Sequence, residues 1–329
     1  MKTRVFAVCV VVFLFCGITH AGLSDGLVAY YPFNGNTNIA GLTDYTNSLG
    51  VTFKLIPAGT FMMGSPTSEL FRGNNEGPQH QVTISKSFYM QTTEVTQGQW
   101  KAVMGSNPSY FSSCGDNCPV EQLSWNDCQD FIAKMNQRGE GIYSLPTEAQ
   151  WEYAARAGSV TAFANGGNTE VSCGYDPNLV VMGWYCYNSN DITHLVAQKN
   201  ANNWGLYDMH GNIWEWCQDW YGDYPSGSAI DPAGPSSGSD RILRGGGFCY
   251  NASGCRSADR DPRGPALRDR SFGFRLAFSL DQVCPDVAVK PNIFSAGTPA
   301  KAADVNANFD VLYNLINTQN CQIKATHNK

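Results

Sequence analysis

Charge is scarce in this 329-residue chain: Asp, Glu, Lys and Arg together make up 15% of it, and the formal net charge is −6. A chain that is net acidic lacks the electrostatic footprint of a general nucleic-acid binder. Histidine is scarcer, with five residues at 20, 80, 194, 210 and 327. These are scattered, and neither H-E-x-x-H nor G-x-S-x-G occurs, so no zinc-protease or serine-hydrolase pattern is present. His80, at the start of a predicted strand, reads as structural. Beyond the first residues no stretch approaches the 18 apolar residues that a membrane-spanning helix needs.

Turn-formers, cysteine and apolar residues are plentiful. With 33 Gly and 16 Pro the chain reads as loop-rich, while 43% hydrophobic and 12% aromatic content supports a sizeable core. Lys2 and Arg4 precede an apolar run from Val5 to Gly17, and Thr19-His20-Ala21 supplies a cleavage site. This predicts a signal peptide over 1–21, and hence an exported protein, secreted or held in the periplasm or at the cell surface. Of the 12 cysteines, Cys9 and Cys16 fall in that leader. The rest stand at 114, 118, 128, 173, 186, 217, 249, 255, 284 and 321, an even set that in an exported chain reads as disulfides. Cys114 and Cys118 are spaced to close one short loop.

Residues 22–50 read as a lead-in strand and linker. From Val51 the pattern changes: Phe53–Gly64 reads as strand, turn, strand with Pro57 and Gly59 at the bend, and Gln81–Tyr89 alternates again. Three capping boxes follow, Thr96-x-x-Gln99, the looser Ser124-x-x-Asp127, and Thr147-x-x-Gln150, each opening a short helix. Cys128, Phe131, Ile132 and Met135 share one face of the second helix, a core stripe. The segments 105–123 and 158–205 are long and turn-rich. Over 280–329, Val305, Phe309, Leu312 and Ile316 predict one amphipathic helix, Ala302 to Thr318, a candidate for docking or weak self-association. Cys284 and Cys321 bracket it.

The stretch Gly205-Leu-Tyr-Asp-Met-His-Gly-Asn-Ile-Trp-Glu-Trp216 is the anchor of the sequence. Asp208 and Glu215 flank Gly211 among large aromatics, and a buried carboxylate is expensive unless paired, hydrogen-bonded or metal-bound. Two readings are open: carboxylates that cap or pair near the surface, or a hard-cation site, since calcium takes six to eight oxygens.

The order of the remaining motifs carries a resemblance. Ile56-Pro-Ala-Gly-Thr-Phe-Met-Met-Gly64 is followed by Glu76-Gly-Pro78, His80-Gln-Val82 and Glu94-Val-Thr-Gln-Gly-Gln-Trp100. Then come Pro119-Val, Ser124-Trp125 and Leu145-Pro-Thr-Glu-Ala-Gln-Trp-Glu-Tyr-Ala-Ala-Arg156, and after the anchor Leu243-Arg-Gly-Gly246 and Phe272-Gly-Phe-Arg275. In this order they resemble the formylglycine-generating enzyme (sulfatase-modifying factor) domain family over 51–279. The resemblance implies an α+β fold, a variant of the C-type lectin-like fold with a small antiparallel sheet, few short helices and much irregular structure. It implies a calcium site at Asp208, Gly211, Ile213 and Glu215. It also implies an oxidase that converts a substrate cysteine to formylglycine with oxygen and with copper held by two thiolates, for which soft copper(I) is suited. The matching residues are Cys249 and Cys255, separated by five residues where the enzymes have four, with Gly247 where they carry Ser.

Two functions therefore stand. One is an exported oxidase acting on a Cys-containing polypeptide, with Cys249 and Cys255 as catalytic and copper-binding residues. The other is a non-catalytic C-type-lectin-like module whose 244–260 groove binds an unidentified surface ligand. An oxidising compartment and the position of Cys217 beside the central turn lead to the expectation that Cys255 pairs with Cys217.

Overall fold

The computed structural model describes residues 44–279. The leader, the first part of the lead-in and the 280–329 appendage, with its expected helix and Cys284 and Cys321, lie outside the described residues. Within them the fold is α+β, as the resemblance implied, with short helices and much irregular chain.

The sheet structure is divided three ways. Tyr45–Thr46 (β1), Thr52–Ile56 (β2), Phe88–Gln91 (β5), Ala277–Ser279 (β12) and Tyr143–Ser144 (β6) form one sheet in that order, antiparallel throughout. A second sheet has the order Asp261–Arg263 (β10), Arg241–Arg244 (β9), Trp214–Trp220 (β7) and Phe272–Gly273 (β11), with β11 parallel to β7. The third joins Gly59–Met63 (β3), His80–Ile84 (β4) and Ala229–Ile230 (β8). Phe53–Gly64 is strand, turn, strand as expected, with the two strands in different sheets and the bend at Pro57, which has no N–H to donate to a ladder.

Each capping box opens a helix as expected. Thr96 and Gln99 cap Gln97–Met104 (α1), Ser124 and Asp127 cap Trp125–Asn136 (α2), and Thr147 and Gln150 cap Glu148–Arg156 (α3). In the third box Thr147 Oγ1 accepts from the Gln150 N–H at 3.1 Å and Gln150 Oε1 accepts from the Thr147 N–H at 3.0 Å. A fourth helix of one turn, Leu179–Met182 (α4), sits inside the long loop. Trp100 of α1 stacks on Phe131 of α2 at 5.2 Å, and both meet Phe274 edge-on, which seats the two helices against the motif preceding β12.

Buried ion pairs hold the irregular chain. Glu152 accepts from Arg244 and, at 2.9 Å, from Arg156 Nε. Glu148 takes Arg260 at 2.6 and 2.8 Å. Glu76 takes Arg256 at 2.6 and 2.8 Å, and Glu69 adds a further contact at 2.8 Å. Glu215 takes Arg275 at 2.6 and 2.7 Å. Burial alone would raise the Glu76 carboxyl; Arg256, helped by the Ser65 hydroxyl and the Gly73 N–H, outweighs it and holds the group below the usual carboxylate range.

Cysteine use departs from expectation. Cys114–Cys118 is bonded as the spacing suggested, and a second disulfide, Cys173–Cys186, closes part of the long loop. Cys128, Cys217, Cys249 and Cys255 are free thiols, so the expected Cys217–Cys255 bond is absent. The reason is packing. Cys217 points into the core around Trp151, Ile242 and Ala277, whereas Cys255 lies in a separate cluster with Phe163, Leu179 and Tyr185.

Two outcomes are expected. Thr147→Ala should lower stability by about 1 kcal/mol in denaturant unfolding, because one buried-end N–H loses its acceptor; an unchanged midpoint would mean that the box does not hold α3. Alkylation of unreduced, denatured protein should label positions 128, 217, 249 and 255 and spare 114, 118, 173 and 186, whereas protection of both 217 and 255 would restore the bond that this fold lacks.

Candidate functional site

The anchor stretch forms a tight, strained turn running into β7. Asp208, Gly211 and Asn212 all have positive φ, at 59°, 127° and 65°. Gly211 packs against the Trp184 backbone, and an added Cβ there would collide with the Trp184 carbonyl. Ile213 is wholly buried, and Trp214 begins the strand. The turn therefore puts Asp208 and Glu215 inside the protein, at 1% exposure each, rather than near its surface.

Their chemistry differs. Glu215 is fully engaged, accepting from Arg275 Nε and Nη2 and from Trp151 Nε1 at 2.8 Å. Asp208 accepts from the Ala197 N–H at 2.7 Å through Oδ2, and its Oδ1 is buried without a partner. Sequence reasoning missed a third carboxylate, Glu94. Its Oε1 accepts from Asn212 Nδ2 at 3.1 Å, and no N–H or hydroxyl reaches its Oε2, the Glu94 and Asp208 carboxyls instead being within hydrogen-bonding reach of each other. Burial, then the charges of Asp208 and Glu215, raise Glu94 well above the carboxylate range, and burial pushes Asp208 up to about 6. Three buried carboxylates thus face one arginine. Among the described residues no three His, Cys, Asp or Glu side chains form a ready metal cluster. A cation here would draw on the two orphaned oxygens together with backbone carbonyls, a donor set that fits calcium.

The thiol segment lies directly against this turn. The Asn212 carbonyl accepts from the Phe248 N–H at 2.8 Å, and His210 Nδ1 donates to the Cys255 carbonyl at 3.0 Å. His210 Nε2 accepts from the Ala164 N–H at 3.1 Å, so one imidazole ties the anchor, the long loop and the thiol segment together. Burial lowers its pKa to about 4, so the ring is neutral at physiological pH.

Cys255 ends a short 3-10 turn, Ala252–Cys255, and is fully buried. Gly246, at φ 75°, is needed there, since a Cβ on it would sit 2.6 Å from the Cys255 sulfur. Burial, then the Asp259 charge, raise the Cys255 thiol, while the Gly247 N–H hydrogen-bonds to it and opposes the rise. Cys249 is half-buried; burial raises its thiol too, and the Arg270 guanidinium opposes this. Arg270 is held by Asp191 at 3.1 Å and lies over the Phe248 ring at 5.3 Å. Nearby, the Cys186 N–H donates to the Tyr250 carbonyl at 2.9 Å. The same loop exposes Tyr175 and Tyr187, which meet edge to face at 5.7 Å.

The sequence and the fold have counterparts in known proteins. The formylglycine-generating enzyme of Mus musculus is 28% identical over 323 residues, covering 80% of this chain and 85% of its own. Treponema denticola variable protein 1 superposes with a TM-score of 0.63 at 29% identity, over 72% of this chain and 99% of that one. PvdO from Pseudomonas aeruginosa superposes with a TM-score of 0.62 at 26% identity, over 72% and 98%. No helix among the described residues is long and apolar enough to cross a membrane. Residues 46–280 match the sulfatase-modifying factor enzyme 1-like domain, and the chain belongs to that family.

Proposed function

We propose that this protein is an exported thiol oxidase that uses oxygen, with copper held between Cys249 and Cys255, to convert a cysteine of a polypeptide substrate to formylglycine. The observation that carries the reading is that both cysteines of the motif are free thiols in one short segment, while four others in the described chain are cross-linked. Those cross-links also support an oxidising location. Copper(I) bound to two soft thiolates supplies the oxygen chemistry.

The protein's own groups supply position. Cys249, half-buried, is the thiol that a substrate reaches, and Arg270 favours its thiolate. Asp191 fixes Arg270, and Tyr110, Tyr175 and Tyr187 offer exposed aromatic surface to a polypeptide. Cys255 is enclosed, with its sulfur seated over Gly246. Both thiols titrate above their ordinary range, so copper uptake must release protons and strengthen as pH rises. The full burial of Cys255 favours the second reading, a non-catalytic binding module on the same face.

Copper(I) titration against a competing chelator separates the two. The oxidase reading expects one tightly bound ion, a loss of more than about 100-fold in affinity for Cys249→Ser and for Cys255→Ser, and oxygen uptake with a Cys-containing peptide. Copper(I) affinity unchanged in both variants would leave only the binding module.

A structural calcium at the Asp208–Glu215 turn belongs to the same proposal, with Asp208, Gly211 and Ile213 as the resemblance implied and Glu94 added; Glu215, the fourth residue it implied, would join only by giving up a bond to Arg275 or Trp151. It is supported by the two orphaned carboxylate oxygens. The folded pKa of Asp208 lies above its unfolded value, so in the metal-free protein this group's stabilising contribution is lost as pH rises from about 4 through about 6. Calcium binds the ionised form, so its stabilisation should grow over that range. The gain in melting temperature from calcium over chelator should be larger at pH 7.5 than at pH 5, and absent in Asp208→Ala and in Glu94→Gln. Melting curves identical with calcium and chelator at pH 7.5 would remove the ion from the account.

A further inference from the structure

Away from the thiols and the carboxylate turn, a cavity of about 380 Å³ opens beside the start of α3. Met63, Trp220, Tyr224 and Pro235 give it largely apolar walls, and Glu148, Asp219 and Arg260 lie at its polar end. Arg260 spends four of its five N–H donors elsewhere than on Asp219. Its Nε and Nη2 bind Glu148, Nη1 donates to the Asn75 carbonyl at 2.8 Å, Nη2 also reaches the Gly222 carbonyl at 3.0 Å, and the guanidinium lies 4.0 Å from the Tyr224 centroid. Glu148 is thereby neutralised.

Asp219 is not. It is only 4% exposed; Oδ2 accepts from the Glu148 N–H at 2.8 Å, and no other residue among those described hydrogen-bonds to Oδ1. Burial, then the Glu148 charge, push its pKa up to about 7 against the smaller opposing pull of the Arg260 charge, so the carboxylate is only partly compensated. A second acceptor lines the same cavity. His80 Nδ1 donates to the Pro78 carbonyl at 3.0 Å, which leaves Nε2 with its lone pair. Asp223, exposed, adds negative charge to the lining.

A ligand here must bring N–H donors and positive charge. A guanidinium would seek both oxygens of a carboxylate, and one Asp219 oxygen is already taken by backbone. An ammonium is a point charge that needs only the other. We propose that this cavity binds a primary ammonium group on an apolar stem, with Asp219 as counter-ion, His80 Nε2 as second acceptor and the aromatic and proline walls around the stem. The ammonium can come from a small alkylamine or from a lysine side chain of a polypeptide.

Calorimetric titration of the full chain tests this, with n-butylammonium chloride, the peptide acetyl-Gly-Lys-Gly-amide and neutral n-butanol as probes. Asp219→Asn keeps an acceptor for the Glu148 N–H and removes the charge. Ala233→Trp obstructs the exposed rim without touching α3, and carries the test should Asp219→Asn fail to fold. The proposal expects saturable binding of at least one ammonium probe, weakened tenfold or more in each folded variant, with n-butanol at least tenfold weaker. Tighter binding of the peptide than of butylammonium assigns the site to polypeptide lysine, and the reverse order assigns it to a free amine. Binding by neither, binding unchanged in the folded variants, or n-butanol equal to butylammonium overturns it.

Discussion

The structure depends on arginines buried against carboxylates. An isolated charge taken out of water costs several kcal/mol, so each such arginine can be buried only where a carboxylate is waiting. Arg244, Arg256, Arg260 and Arg275 are all buried, and their partners come from distant parts of the chain: Glu152, Glu76, Glu148 and Glu215. Much of the chain is loop, and loop has little regular hydrogen bonding to select one arrangement. The ion pairs supply that selection, because a loop displaced by a few ångströms would leave a bare charge in the core.

The candidate site is a consequence of the same pairs. Arg244 precedes Gly245 and Gly246, and Arg256 and Arg260 follow Cys255, so the thiol segment is clamped at both ends by buried guanidinium groups. Between the clamps the chain passes through one short 3-10 turn, which puts Cys255 inside and leaves Cys249 half-exposed. Arg275 acts likewise on the anchor turn by engaging Glu215, while Asp208 and Glu94 keep one unpartnered oxygen each. One arginine against three carboxylates leaves that pocket short of positive charge, whereas Arg260 pairs directly with Glu148 and reaches Asp219 beside it only through its charge.

What could be read from the sequence was what is local or ordered along it. The capping boxes at Thr96, Ser124 and Thr147 involve residues three apart, and all three open helices. The family was legible because its motifs occur in sequence order. Several of the paired glutamates and arginines stand in those motifs, but which meets which was not legible, since Arg256 and Glu76, for example, are 180 residues apart. Glu94 was passed over for the same reason, because Asn212, which brings it to the turn, lies 118 residues away. The expected Cys217–Cys255 bond failed because nearness to the turn says nothing of direction, and Cys217 on β7 faces a different hydrophobic cluster. Cys173–Cys186 lies in a loop with no periodicity to reveal which side chains meet.

If the ion pairs set the site, breaking one should loosen the thiols next to it. The most direct measurement is a double-mutant cycle on Arg256→Ala and Glu76→Ala, read by unfolding free energy and by the alkylation rate of Cys255 in the native protein. Each single change should cost about 3–5 kcal/mol because it strands a buried charge. The double variant should cost well below their sum, with coupling above about 1.5 kcal/mol, and Cys255 should react faster in both single variants. Additive effects within about 0.5 kcal/mol, with Cys255 as unreactive as before, would contradict the account.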